Sequence, residues 1–177
     1  VDGRVYSFDD VAGPKGTLVA FICNHCPFVL HIIEGFVAFA REYQPKGLGI
    51  VAISSNDADA FPDDSFERMA EFARVHRFSF PYLYDETQQI AIAYRAVCTP
   101  DFFLFDRERR LAYGGQFDGS RPRTPHSSGA ATELPVTGRD MRAAADAVLQ
   151  GHPVPQPHRP SNGCSMKWKP GNAPAWA

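Results

Sequence analysis

Hydrophobic positions along this chain follow two rhythms. The runs Thr17-Leu-Val-Ala-Phe-Ile-Cys23 and Leu48-Gly-Ile-Val-Ala-Ile-Ser54 are unbroken and β-rich, the pattern of strands covered on both faces. Between them the spacing changes to three and four: Phe28, Ile32, Phe36, Phe39 and Tyr43 share one stripe and predict a helix over residues 27–43. Pro27 suits its first turn, where no intrahelical donor is lost. Upstream, residues 3–8 predict a short strand or the end of a hairpin, and Gly13-Pro14 marks turns within residues 9–16.

The alternation continues downstream. Residues 55–64 form an acidic segment that is most simply a solvated loop, with Asp63, Asp64 and Ser65 placed to cap a helix over 66–76. A third short strand is expected over 80–84 and a helix over 87–95. Residues 102–105 and 111–116, joined by a charged turn, predict a hairpin. A Ser-, Pro-, Gly- and Thr-rich stretch near 118–137 predicts a long exposed loop. The last helix begins at Thr137 or Gly138, carries Met141, Ala144, Ala145, Val148 and Leu149, and stops at Gly151. Strands alternating with helices imply an α/β fold, a mostly parallel sheet between helical layers that ends in an antiparallel hairpin. The expected organisation is one domain over 1–151 and a Pro-rich tail over 152–177 that packs on or near it, with Cys164, Trp168 and Trp176 as its marked residues.

Composition narrows the function. The 177 residues suffice for one domain with a proper core. A net charge of −2 provides no basic footprint for nucleic acid or an anionic membrane, and no apolar run approaches the ~20 residues that cross a bilayer. No signal-like segment opens the chain at Val1, so the expected setting is cytoplasmic. Four cysteines are too few for a small disulfide scaffold, and their distribution, one close pair (Cys23, Cys26) and two isolated residues (Cys98, Cys164), suggests chemistry instead of staples.

The pair Cys23-Asn24-His25-Cys26 lies where a buried strand exits into a helix. A helix N-terminus stabilises an anion, so a thiol there is activated, and a second thiol nearby can resolve a mixed disulfide. On this reading Cys23 attacks and Cys26 resolves, with His25 a donor or cation beside the sulfurs. A zinc site would need a second CxxC or a His pair, and c-type haem attachment a His at position 27, where Pro stands. No metal or cofactor is therefore expected. His31, His76, His126, His152 and His158 show no ligand spacing and are most simply surface residues.

Four segments carry a family likeness: residues 21–29 around the CxxC, Ser54-Ser-Asn-Asp57 with Pro62-Asp-Asp-Ser65, Cys98-Thr-Pro-Asp-Phe-Phe-Leu-Phe-Asp106, and the tail residues 161–169. Together they resemble the thioredoxin superfamily, and within it the peroxiredoxin-like branch of the AhpC/TSA proteins. The resemblance implies a thioredoxin fold, with a central mixed β-sheet flanked by helices. It places Thr99-Pro100 at the cis-proline that packs against the CxxC, where a residue without an N–H avoids crowding the sulfurs. It also brings Cys98 near the pair, either as a third redox thiol or as a buried neighbour. Cys164 is open to a disulfide with Cys98 or to a resolving role. Ile22 and Asn24-His25 stand where thioredoxins have Trp and Gly-Pro. Cys26-Pro27 matches the Cys-Pro of peroxiredoxins, with Cys23 in place of their Thr.

Three functions follow as expectations. The first is a thiol–disulfide oxidoreductase cycling Cys23 and Cys26, with a protein or small-molecule disulfide as substrate and an external thiol as reductant. The second is a thiol peroxidase in which Cys26 attacks peroxide. The third is a non-catalytic redox sensor or metal-holding module.

Overall fold

A computed structural model describes residues 1–123 and 134–176. Five strands form the central sheet in the order β3-β2-β1-β5-β6. β1 (Gly16–Phe21) and β2 (Leu48–Ser54) run parallel in its middle, and β3 (Tyr82–Tyr84) extends the parallel half. β5 (Asp101–Asp106) pairs antiparallel with β1 and turns into β6 (Leu111–Gly115). Three helices connect or flank these strands, α2 (Pro27–Tyr43), α3 (Phe66–Val75) and α4 (Gln89–Tyr94), and α5 (Arg139–Leu149) follows the sheet.

The unbroken apolar run of β1 reflects burial on both sides. Leu18, Ala20 and Ile22 join the larger core beneath α2 and α5, while Val19 and Phe21 face a second cluster with Val51, Ile53 and Ala91. The α2 stripe is wider than the spacing suggested: Val29, Ile33, Val37 and Ala40 are buried with Ile32, Phe36, Phe39 and Tyr43, whereas Phe28 is only partly covered. In α5 the buried residues are Met141, Ala144, Ala145 and Val148.

Three expectations are corrected. Residues 3–8 form no strand among the described residues; the chain enters a one-turn helix, α1 (Phe8–Val11). Its cause is a capping box, in which the Asp10 carboxylate reaches back to accept from the Ser7 N–H at 2.7 Å. The acidic segment is not a solvated loop throughout, because Ser55, Asn56, Asp57 and Asp64 are all buried and hydrogen-bonded inward. The stretch near 118–137 is not exposed where it is described at its start: Asp118 and Ser120 are buried, and Asp118 accepts from Ser120, Thr137 and Gly138. Residues 124–133 of that loop, with His126, lie outside the described residues.

The tail folds back onto the second cluster. Met166 is buried there and Trp168 packs partly against it. A two-residue strand, β7 (Cys164–Ser165), pairs antiparallel with β4 (Cys98–Thr99), immediately before Pro100.

Close backbone contact fixes where β2 begins. A Cβ at Gly49 would lie 2.2 Å from the Val11 carbonyl oxygen and 2.3 Å from the Gly13 nitrogen, and neither can yield as a side chain would. Gly49→Ala is therefore expected to cost about 3 kcal/mol. In a thermal melt that corresponds to a fall of roughly 6–12 °C; an unchanged melt would contradict this packing.

Candidate active site

The CxxC turn is held from the side by one carboxylate. Cys23 and Asn24 follow β1, and Cys26 is the N-cap of α2. The Asn24 N–H donates to Asp64 Oδ1 at 2.8 Å, and Asn56 Nδ2 donates to Asp64 Oδ2 at 2.7 Å. Asn24 also donates through Nδ2 to the Asp63 carbonyl at 2.8 Å and accepts from the Tyr82 hydroxyl at 3.0 Å. His25 Nδ1 sits 2.9 Å from Asp64 Oδ2 without hydrogen-bond alignment, and its ring stacks on Phe61 with an interplanar angle of 9°. His25 therefore faces the carboxylate.

The sulfurs are held from above by Thr99. Its Oγ1 lies 3.3 Å from Cys23 Sγ, its carbonyl oxygen 3.1 Å from Cys26 Sγ, and the Thr99–Pro100 bond is cis. Cys23 and Cys26 hydrogen-bond to each other. The third sulfur comes from the tail: Cys164 Sγ is 2.8 Å from Cys26 Sγ. Cys23 and Cys26 are fully buried, while Cys164 is half-buried.

These contacts set how the pair ionises. The two sulfurs share one proton, so the pair loses its first proton more readily than a free cysteine does, an effect that burial opposes and the neighbouring Cys164 sulfur assists. Cys23 is pushed far up, because it donates to Cys26, is buried, and lies near the charge of Asp64. The Cys26 thiol donates to the Thr99 carbonyl, a contact that favours its protonated form. Of the two sulfurs, Cys26 is the one at the N-cap of α2, and Cys164 reaches it from the tail.

The structure brings Cys23, His25, Cys26, Thr99, Pro100 and Cys164 together. Cys98 is near but turned away. In the ladder Thr99 pairs with Cys164 and Cys98 with Ser165, so Cys98 and Cys164 point to opposite faces and do not meet as a disulfide would require. The Cys98 thiol donates to the Pro100 carbonyl at 3.7 Å and is pushed up to about 12 by burial and by the charge of Asp101. Half-buried His31 and His76 depart from the surface placement expected for them, and His76 contacts Glu34 at 2.6 Å.

Asp64 is the residue that sequence reasoning missed. Of the three residues read as a helix cap, only Ser65 caps, accepting from the Arg68 N–H at 3.4 Å. Asp64 points inward instead, and places a carboxylate oxygen within 4.8 Å of Cys23 Sγ and a His25 ring nitrogen. This is a three-donor set of a kind that can hold a metal ion, with a ligand that no local spacing could reveal.

The sequence profile of the AhpC/TSA family matches residues 1–114, a span that includes the CxxC, Asp64 and Thr99-Pro100, with Cys164 beyond it. Among curated protein sequences none matches. An uncharacterized conserved protein from Geobacillus kaustophilus is 50% identical, with a TM-score of 0.90 over 96% of this chain and 86% of that one. A hypothetical protein from Sinorhizobium meliloti 1021 is 47% identical, with a TM-score of 0.85 over 96% of this chain and 88% of that one. The solution structure of a thioredoxin-like protein in its oxidised form, 19% identical, matches with a TM-score of 0.62 over 86% of this chain and 88% of that one, a likeness of fold. With the family profile spanning the redox motif and most of the sheet, this thioredoxin-fold chain belongs to the AhpC/TSA family.

Proposed function

We propose that the protein is a thiol–disulfide oxidoreductase that cycles Cys23 and Cys26 between dithiol and disulfide. The observation that carries this reading is the pair of buried sulfurs, Cys23 and Cys26, both held under Thr99 beside the cis Thr99–Pro100 bond. A thiolate at Cys26 attacks a substrate disulfide and forms a mixed disulfide. Cys23, giving its proton to the departing thiolate, then closes the Cys23–Cys26 bond. An external thiol reductant restores the dithiol by the reverse exchange. Protein or small-molecule disulfides are the substrate class, and the cytoplasmic setting expected from the sequence suits a thiol reductant.

The second reading, a thiol peroxidase, is favoured by one feature: Cys26 is followed by Pro27 and has no exposed surface, so a molecule as small as peroxide reaches it more easily than a folded substrate does. There the thiolate becomes a sulfenic acid, which a neighbouring thiol condenses to a disulfide with loss of water.

Stopped-flow reaction of the reduced protein with oxidised glutathione and, separately, with hydrogen peroxide tests both. Cys26→Ser should slow disulfide exchange by on the order of a hundredfold or more. The wild-type rate should fall with pH as the thiolate of the pair is lost, and should do so below the range in which a free cysteine titrates. Full-rate exchange by Cys26→Ser would end the assignment. Peroxide consumption faster than glutathione exchange, and lost in Cys26→Ser, would favour the peroxidase.

A further inference from the structure

The tail brings a third sulfur into the site by a built arrangement. Thr99 and Cys164 are direct partners across the β4–β7 ladder, so the residue that holds both CxxC sulfurs also sets the position of Cys164. The approach is tight: a Cβ at Gly163 would sit 2.0 Å from the Thr99 carbonyl oxygen and 2.6 Å from its carbon. On the far side of Cys164, Met166 N–H donates to the Val97 carbonyl at 3.0 Å, and Lys167 N–H to Asn56 Oδ1 at 2.9 Å. Asn56 is also bonded to Asp64, so one hydrogen-bond chain links the tail, the carboxylate and the CxxC turn. Cys26 therefore has a thiol on either side, Cys23 from its own turn and Cys164 from a segment 138 positions away.

We propose that Cys164 is a third redox thiol of this site, and that oxidised Cys26 exchanges disulfide partners between Cys23 and Cys164. This rests on the reading of Cys26 as the reacting thiolate. When Cys26 has attacked an external disulfide RSSR, one RS⁻ leaves and Cys26 holds the other R group. The Cys164 thiol, passing its proton to the second departing RS⁻, attacks the Cys26 sulfur and forms Cys26–Cys164. Two protein thiols have then given two electrons to RSSR, which becomes two RSH. In the next step Cys23 attacks Cys26, the Cys26–Cys164 bond breaks, and the Cys23 proton passes to the Cys164 sulfur. That step moves no net electrons. The two products differ in consequence: Cys26–Cys164 latches the tail over the site and leaves Cys23 as a thiol, whereas Cys23–Cys26 leaves the tail held by hydrogen bonds and apolar contact alone.

The test oxidises the full chain with glutathione disulfide, quenches it in acid and maps disulfides by non-reducing peptide mass spectrometry. Wild type should give both Cys23–Cys26 and Cys26–Cys164, within single chains. Cys164→Ser should give only Cys23–Cys26, and Cys23→Ser only Cys26–Cys164. In a Cys23→Ser background, glutathione should leave Cys26 on the order of a hundredfold more slowly once Cys164 is also Ser, because the neighbouring thiol acts at high effective concentration. The proposal is overturned if Cys23→Ser stays glutathionylated on Cys26 with Cys164 free to alkylate, or if Cys26–Cys164 links occur only between two chains. Failure of the underlying reading looks different: Cys164→Ser would then form no Cys23–Cys26 disulfide.

Discussion

Asp64→Ala is expected to destabilise the reduced protein by about 3–5 kcal/mol, because a buried carboxylate is removed from beneath donors that find no other acceptor. The Asn24 N–H and Asn56 Nδ2 each donate to Asp64, and His25 Nδ1 lies against it. With Asp64 fully buried, water does not replace the carboxylate without opening the turn. Denaturant unfolding measures the loss, and a change below about 1 kcal/mol would show that the carboxylate is not the clamp described above. The same substitution has an electrostatic sign. Asp64 is among the charges that push the Cys23 thiol up, so its removal should bring Cys23 down toward the ordinary thiol range. Asp64→Asn separates the two effects, since it keeps an acceptor for Asn24 while removing the charge.

Gln88→Ala should free the tail. Gln88 is fully buried, donates to the Ser55 and Lys167 carbonyls at 2.7 and 2.9 Å, and accepts from the Lys169 N–H at 2.8 Å and Asn172 Nδ2 at 3.1 Å. One side chain thus ties the end of β2 to three tail residues. Its loss is expected to cost roughly 2–3 kcal/mol, felt mainly as local opening of the tail. Hydrogen exchange at the Met166, Lys167 and Lys169 amides should quicken by roughly thirtyfold or more, while β1 and β2 amides change much less. Equal acceleration throughout would mean that Gln88 supports the core and not the tail.

The strands and helices that bury a face were legible in sequence because burial imposes a period. β1, β2, α2 and α5 all carry such a pattern, and their positions follow from it. Elements without a buried period were not legible. β7 is two residues long, and pairing with Cys98–Thr99 is a tertiary event with no local signal. Asp64 was misread because an acidic residue before a helix is ordinarily a cap, and only the folded chain turns it toward the CxxC. What each sulfur faces was likewise hidden from local pattern. A helix N-terminus and converging donors favour charge at the N-cap position, which is Cys26, while Cys23 sits near the field of Asp64.

Asp118 has a consequence for the placement of α5. Its two carboxylate oxygens bind opposite ends of one segment, Ser120 on one side and Thr137 and Gly138 on the other. Gly138 is the N-cap of α5, so the carboxylate lies at the positive end of that helix, and the Met141 N–H donates to the carbonyl of the adjacent Phe117 at 3.1 Å. Asp118 thus works as a hinge pin that sets where α5 leaves the sheet, with Phe117 beside it seated in the core.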